Sequence, residues 1–265
     1  LGLKEPPKCS TLAYANEHRP WQFFRDVFYR LYSQCLKLAA TRNKKFRFKN
    51  PLKSIDSSTI ELCVNTFDGA KFRRTKGAVK LHLMRDHQGC LPAWALITNG
   101  KTHDVKAANF MRFAQGIIVA MDRGYNDTSL FYHWTLAGIF FVTRMKSIAA
   151  YKVLRSLPLP AGTNVVSDEI IRWTGSNASK KCPVELRRVV AYDPEQDRML
   201  EFVTNIERLA ASTIVAIYKD RWQIELFFKA IKQNMKIKTF VGTTENAVQI
   251  QIWTALISML LLKFL

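Results

Sequence analysis

Residues 218–232 read YKDRWQIELFFKAIK, within a helical pattern that extends from Ala211 to about Asn234. At about 100° per residue, Tyr218, Arg221, Glu225 and Lys232 fall within roughly 60° of one another on the helical wheel. Ile214, Ile217, Ile224 and Phe228 supply the apolar contacts of the same helix. A merely solvated face would carry charges alone, whereas here an aromatic ring, a cation, an acid and a second cation stand in line. That set suits a site that holds a metal and grips phosphates.

Upstream the period changes from helix to strand. Ser54-Ile55-Asp56-Ser57-Ser58 heads a β-type stretch, and Ala78 to Met84 and Leu91 to Thr98 flank the turn Asp86-His87-Gln88-Gly89 as a hairpin. Gly116 to Met121 (GIIVAM) reads as a short buried strand ending at Asp122, Asn126 to Ala137 as a helix, and Gly138 to Thr143 (GIFFVT) as another strand. This alternation predicts an α/β fold. In such sheets functional groups gather at the carboxyl ends of strands, and Asp56 and Asp122 each end or nearly end one. Either aspartate alone reads as a turn former or helix N-cap. Joined by the helix carboxylate Glu225, they make a hard-oxygen set that suits Mg²⁺ or Mn²⁺ better than zinc. Two such ions, about 3.5 to 4 Å apart, would activate a water or a 3′-hydroxyl and stabilise the leaving oxygen in phosphodiester cleavage.

Charge points the same way. The 265 residues are 48% apolar, enough for one large core or two modest ones. Lysine and arginine number 40 against 21 acids, a net charge of +19, so a polyanionic partner is expected. Nucleic acid leads, and an anionic membrane ranks well below it. The excess is densest up to Ile55, where an amphipathic helix over Trp21 to Ala39 (Phe24, Val27, Phe28, Leu31, Leu36) precedes the run Arg42, Lys44, Lys45, Arg47 and Lys49. That run, interrupted by Phe46 and Phe48, reads equally as a solvated loop or as phosphate contacts. Cys9, Cys35, Cys63, Cys90 and Cys182 form no CxxC pair, which argues against a disulfide framework or zinc ribbon and makes a reducing cytosol the default. The apolar stretch Ile252 to Leu262 is about half the ~20 residues of a membrane span and is expected to be a buried terminal helix. The lack of an initiator Met and the apolar pattern continuing to Leu265 suggest a fragment of a longer chain. Four segments are expected: a basic, mainly helical one over 1–50, the first part of a catalytic core over 51–146, a β-rich insertion over 147–208, and catalytic and apolar helices completing the core over 209–265.

The spacing Tyr218-x2-Arg221-x3-Glu225-x6-Lys232 resembles the Y-x2-R-x3-E-x6-K signature of insertion-sequence transposases of the DDE superfamily, in the branch called IS four. Asp56 in SIDSSTI is similar to the first acidic residue of that family, and Asp122 in AMDRGYND to the second. The likeness extends from about Ser10, in STLAYANEHRPWQFF, to the end of the chain. It implies a ribonuclease H-like mixed sheet with flanking helices, interrupted by a β-rich insertion subdomain between Asp122 and Glu225. It further implies a bacterial or archaeal, nucleoid-associated enzyme that hydrolyses transposon ends and joins the freed 3′-hydroxyl to target DNA. Asp56, Asp122 and Glu225 would hold two Mg²⁺ or Mn²⁺ ions, and Tyr218, Arg221 and Lys232 would meet phosphates of double-stranded DNA, in a synaptic homodimer.

Arg123, Arg144 and Lys146 lie near the expected strand ends as further phosphate contacts, with simple solvation the alternative for each. Trp173 reads as a buried strand residue, against the base-stacking aromatic of hairpin-forming relatives, and Asp104 as an N-cap. Two other readings share these residues: a ribonuclease H-like nuclease without strand transfer, and an inactive, truncated DNA-binding remnant.

Overall fold

The computed structural model describes residues 5–39, 45–61, 78–159, 161–234, 241–242 and 244–264; of the residues singled out above, Arg42, Lys44 and Cys63 lie outside them. In chain order the helices are α1 (Cys9–His18), α2 (Trp21–Ala39), α3 (Asp104–Ala108), α4 (Thr128–Leu136), α5 (Ser176–Lys181), α6 (Ala211–Arg221), α7 (Gln223–Asn234) and α8 (Glu245–Phe264). The strands are β1 (Leu52–Glu61), β2 (Ala78–Asp86), β3 (Leu91–Asn99), β4 (Ile118–Met121), β5 (Phe140–Arg144), β6 (Tyr151–Ser156), β7 (Val165–Trp173), β8 (Leu186–Asp193) and β9 (Arg198–Thr204). Two compact units divide them: Leu1–Lys45, Ser57–Thr102 and Leu226–Leu265 form the first, and Phe46–Asp56 and His103–Glu225 the second.

In the first unit α2 turns Phe28, Cys35 and Ala39 inward, a helical spacing, and α8 meets it with Trp253, whose ring centroid lies 5.4 Å from Phe28 and 6.0 Å from Tyr29. The terminal helix begins at Glu245, before the expected Ile252, and by length and composition it is long and apolar enough to cross a membrane. Within the unit, however, Ala247, Val248, Ile250, Ile252, Trp253, Leu256 and Leu260 are buried, and the helix packs on α1, α2 and β3. Gln251 continues the helix because its amide is occupied: it donates to the Ala247 and Val241 carbonyls and accepts from the Val241 amide. The β2–β3 hairpin turns through Gly89 and Cys90, both at positive φ, and a Cβ on Gly89 would lie 2.5 Å from that of Ala39.

The second unit is a sheet in the order β1-β4-β5-β9-β8-β7-β6. β1, β4 and β5 are parallel, and the run β5 to β6 is antiparallel throughout. All four residues of β4 are buried, as a parallel central strand covered on both faces requires. Its core joins Leu52, Ile118, Ala120, Val142, Val189 and Phe202 to Ile214 and Ile217 of α6. Phe46 and Phe48 pack against this core, which explains the aromatics within the basic run: they face in while Lys45, Arg47 and Lys49 stay exposed. In the first unit β2 and β3 pair antiparallel, and with parallel and antiparallel pairs both present the protein has the mixed α/β character expected, strands with flanking helices.

Three local expectations are corrected. The helix expected over Ala211 to Asn234 is two helices, parted at Trp222, where the Trp222 amide donates to the Lys219 carbonyl and the Glu225 amide to the Trp222 carbonyl. These shorter-range bonds tighten the backbone by a fraction of a turn. Asp56 lies within a ten-residue strand and does not end it, because β1 carries on past its pairing with β4. Asp104 is the first residue of α3; His103 occupies the N-cap and makes no side-chain capping bond.

Candidate active site

The register of β1 on β4 ends at Ile55↔Met121, so Asp56, still in β1, and Asp122, just past β4, are the next residues along the chain. Two aspartates distant in sequence thus leave the paired segment together. After Asp122 the chain makes a short 3-10 turn, Arg123–Tyr125, anchored by the buried Tyr125 ring. A Cβ at Gly124 would come within 2.8 Å of an Asp104 carboxylate oxygen, so a larger residue there would require that side chain to shift. Asn126 ties this turn to β5: its amide donates to the Arg144 carbonyl at 2.7 Å, and its oxygen accepts from the Thr143 hydroxyl at 2.9 Å. Sequence reading did not single out Asn126 and Thr143, although an Asn after a strand and turn is a familiar local hydrogen-bonding signal.

Helix α6 brings Tyr218 and Arg221 to the aspartates. The Tyr218 hydroxyl donates to Asp122 Oδ1 at 3.5 Å, and its ring packs on Phe202 at 5.1 Å. Arg221 donates from Nη1 to Asp56 Oδ2 at 3.2 Å and from Nη2 to Glu225 Oε1 at 2.6 Å. Its guanidinium lies 5.1 Å from the Tyr218 ring centroid, a cation–π distance. One connected set therefore contains Asp56, Asp122, Glu225, Tyr218 and Arg221, all within the second unit.

The electrostatics follow from burial among these partners. Burial works against the charge of Arg221, but Tyr218, Asp56 and Glu225 more than offset it, and the net shift is upward. Burial also pushes the Tyr218 phenol up, with Asp122 adding to the rise and Arg221 opposing it. Arg144 is shifted down, first by burial and then by the nearby cation Arg123, with Arg198 adding repulsion and Tyr218 and Asp122 opposing it. The Nε groups of Arg144 and Arg221 are buried and hold no hydrogen bond.

Arg123 is exposed in the turn directly after Asp122, and Lys146 Nζ donates to the Asn126 carbonyl at 3.1 Å. Lys232, on the later part of α7, belongs to the first unit. Trp173, at the end of β7, is 6% exposed, in keeping with a buried strand residue, and borders a groove of about 430 Å³ with Phe131, Met145 and Lys146. Among the described residues no three His, Cys, Asp or Glu side chains converge closely enough to hold a metal ion. The carboxylates meet instead through Arg221, whose guanidinium stands between Asp56 and Glu225 where a cation is favoured. The donors on Asp56, Asp122 and Glu225 are all carboxylate oxygens, the type a hard divalent ion takes, although only Asp56 and Glu225 share a cation here.

A family model described as transposase DDE domain matches residues 47–261. A chain of Sinorhizobium fredii named as transposase y4zB is 31% identical over 97% of this chain and 71% of its own length. A chain of Geobacillus stearothermophilus, named as a transposase for insertion sequence element IS5377, is 30% identical over 97% of this chain and 67% of its own. The solved piggyBac transposase synaptic complex with hairpin DNA is similar at a TM-score of 0.44 and 13% identity, over 79% of this chain, which spans 47% of that one. Residues 47–261 take in the strands, the turn after Asp122 and the helices that carry Tyr218, Arg221 and Glu225, and the chain belongs to the family of transposase DDE domains, the DNA transposases of insertion sequences.

Proposed function

We propose that Asp56, Asp122 and Glu225 are the catalytic carboxylates and that they hold two Mg²⁺ or Mn²⁺ ions. The observation that carries this reading is the linked set itself: Arg221 joins Asp56 to Glu225, and Tyr218 reaches Asp122. When bound, such ions lower the pKa of an attacking water or 3′-hydroxyl and stabilise the leaving oxygen. Arg221 then serves phosphate oxygens of double-stranded DNA, and Tyr218 holds Asp122 and supports the guanidinium from below. Arg123, Arg144, Lys146 and Lys232 take neighbouring phosphates. The cationic crowding of Arg144 by Arg123 and Arg198 is relieved when an anion arrives, which supports that role.

The reaction is hydrolysis at transposon inverted repeats and then attack of the freed 3′-hydroxyl on target DNA, carried out by a homodimer acting at the nucleoid. Residues 51–146 and 209–265 form the catalytic core, 147–208 its insertion, and 1–50 a basic helical approach to DNA.

The test is substitution of Asp56→Asn, Asp122→Asn and Glu225→Gln in turn. Cleavage of duplex carrying the element's own ends falls at least about a thousandfold, while salt-sensitive DNA binding stays within about twofold. Equal loss of binding and cleavage would defeat this division of labour.

A further inference from the structure

Away from the carboxylates, the described residues of the second unit include a buried ion pair. Arg187 on β8 is 4% exposed and Asp168 on β7 is 3% exposed. The guanidinium donates from Nε to Asp168 Oδ1 at 2.7 Å and from Nη2 to Asp168 Oδ2 at 2.6 Å, a forked pair. Its third nitrogen faces three main-chain carbonyls, Ile206 at 3.2 Å, Glu207 at 3.1 Å and Leu209 at 2.6 Å. Those carbonyls belong to the loop between β9 and α6. A buried ion pair is weak support for stability as such, because desolvation cancels much of the attraction. What this one does supply is geometry, since five bonds fix one loop against two strands.

That loop leads into the helix of the candidate site. α6 starts from Ala210 with no side-chain capping bond and has no acidic residue in its first turn, so it lacks the usual local devices that set a helix start. Arg187 holds the chain up to Leu209, one residue before that N-cap. From there a rigid helix carries the position to Tyr218 and Arg221, whose bonds to Asp122 and Asp56 depend on it. We propose that Arg187, braced by Asp168, is a positioning residue: it sets the start of α6 and thereby places Tyr218 and Arg221 against the two aspartates. This rests on the catalytic reading of those carboxylates given above.

The test compares wild type, Arg187→Lys and Asp168→Asn, with Glu225→Gln as control for the catalytic reading itself. Three quantities are read: Mn²⁺-dependent nicking of supercoiled plasmid, affinity for a nonspecific duplex of about 30 base pairs, and backbone amide exchange over residues 206–221. In Arg187→Lys, which cannot fork, exchange over the start of α6 rises about tenfold and nicking kcat falls about ten- to a hundredfold, with duplex affinity within about twofold. Asp168→Asn moves the same way by less, because the carbonyl contacts persist. A role in stability alone would lower Tm and spare both the local exchange pattern and the rate per folded molecule. The proposal is overturned if both variants melt cooperatively with wild-type exchange at residues 206–221, or with wild-type nicking. Loss of the fold in both would also overturn it, since Arg187 would then support the whole unit and not the start of one helix. If wild type binds duplex and nicks no faster than Glu225→Gln, the catalytic reading fails, while the exchange measurement still decides whether Arg187 sets α6.

Discussion

Arg187 and Arg221 are buried to nearly the same degree, 4% and 5% exposed, and each is paired with carboxylate, yet they are built for different ends. Arg187 has acceptors on all three nitrogens, and its partner Asp168 is as buried as itself. Arg221 has an Nε with no partner, and its two carboxylates reach solvent, the Asp56 side chain at 16% and that of Glu225 at 31% exposure. Burial of a charge therefore has two meanings in one unit. Where every donor is met and water is excluded, the ion pair is a fixed joint. Where a donor is left over and the acids are half open, the contact can be exchanged for another cation or anion.

Stability measurements would break that comparison most directly. Asp168→Ala leaves the Arg187 charge without its acid and is expected to cost about 3 to 5 kcal/mol in urea unfolding. Asp56→Ala removes one of two partners of Arg221 at a partly solvated site and is expected to cost no more than about 1.5 kcal/mol. Equal losses would mean that Arg221 too is a fixed joint.

A smaller effect lies in the pH dependence of Tyr218. Its phenol is raised above the ordinary tyrosine value, first by burial and then by Asp122, so the folded chain favours the neutral form. Stability fully present below pH of about 10 is then lost as pH rises toward the higher folded value. Tyr218→Phe should flatten part of that decline when urea midpoints are compared between pH of about 9 and 11; an unchanged slope would place the loss elsewhere. Smallest is the salt response. Arg123→Ala or Lys146→Ala should lessen the slope of log affinity against log salt by about 0.9 for each phosphate contact removed, while Arg187→Lys leaves the slope as it was.

Much of the site was legible locally. The four apolar residues of β4 and the Asp that follows read as a buried strand and its end, because a parallel central strand must be apolar on both faces. The phase of Tyr218, Arg221 and Glu225 was legible because helical period alone sets it. The break at Trp222 was not, since nothing in RWQIE is a helix breaker, and the shift to shorter-range bonds is a small change in backbone geometry. The full extent of α8 was missed for a related reason. Gln249 and Gln251 look like a boundary, and only the bonds from Gln251 to Val241 show why one of them is tolerated. Asp168 and Arg187 carry no local signal, as neighbouring Arg187 and Arg188 look alike until the strand sends them to opposite faces.

By itself the sequence determined which residue types this chain offers and in what phase: three carboxylates, a helix stripe of Tyr, Arg, Glu and Lys, and a strong positive charge. Those depend on composition and on backbone periods of two and 3.6 residues, which are local. The tertiary structure decided who meets whom. Arg221 stands against Asp56 across 165 positions of sequence, and Arg187 grips the loop before α6, because sheet register and burial bring distant polar groups together and each must then find its partner.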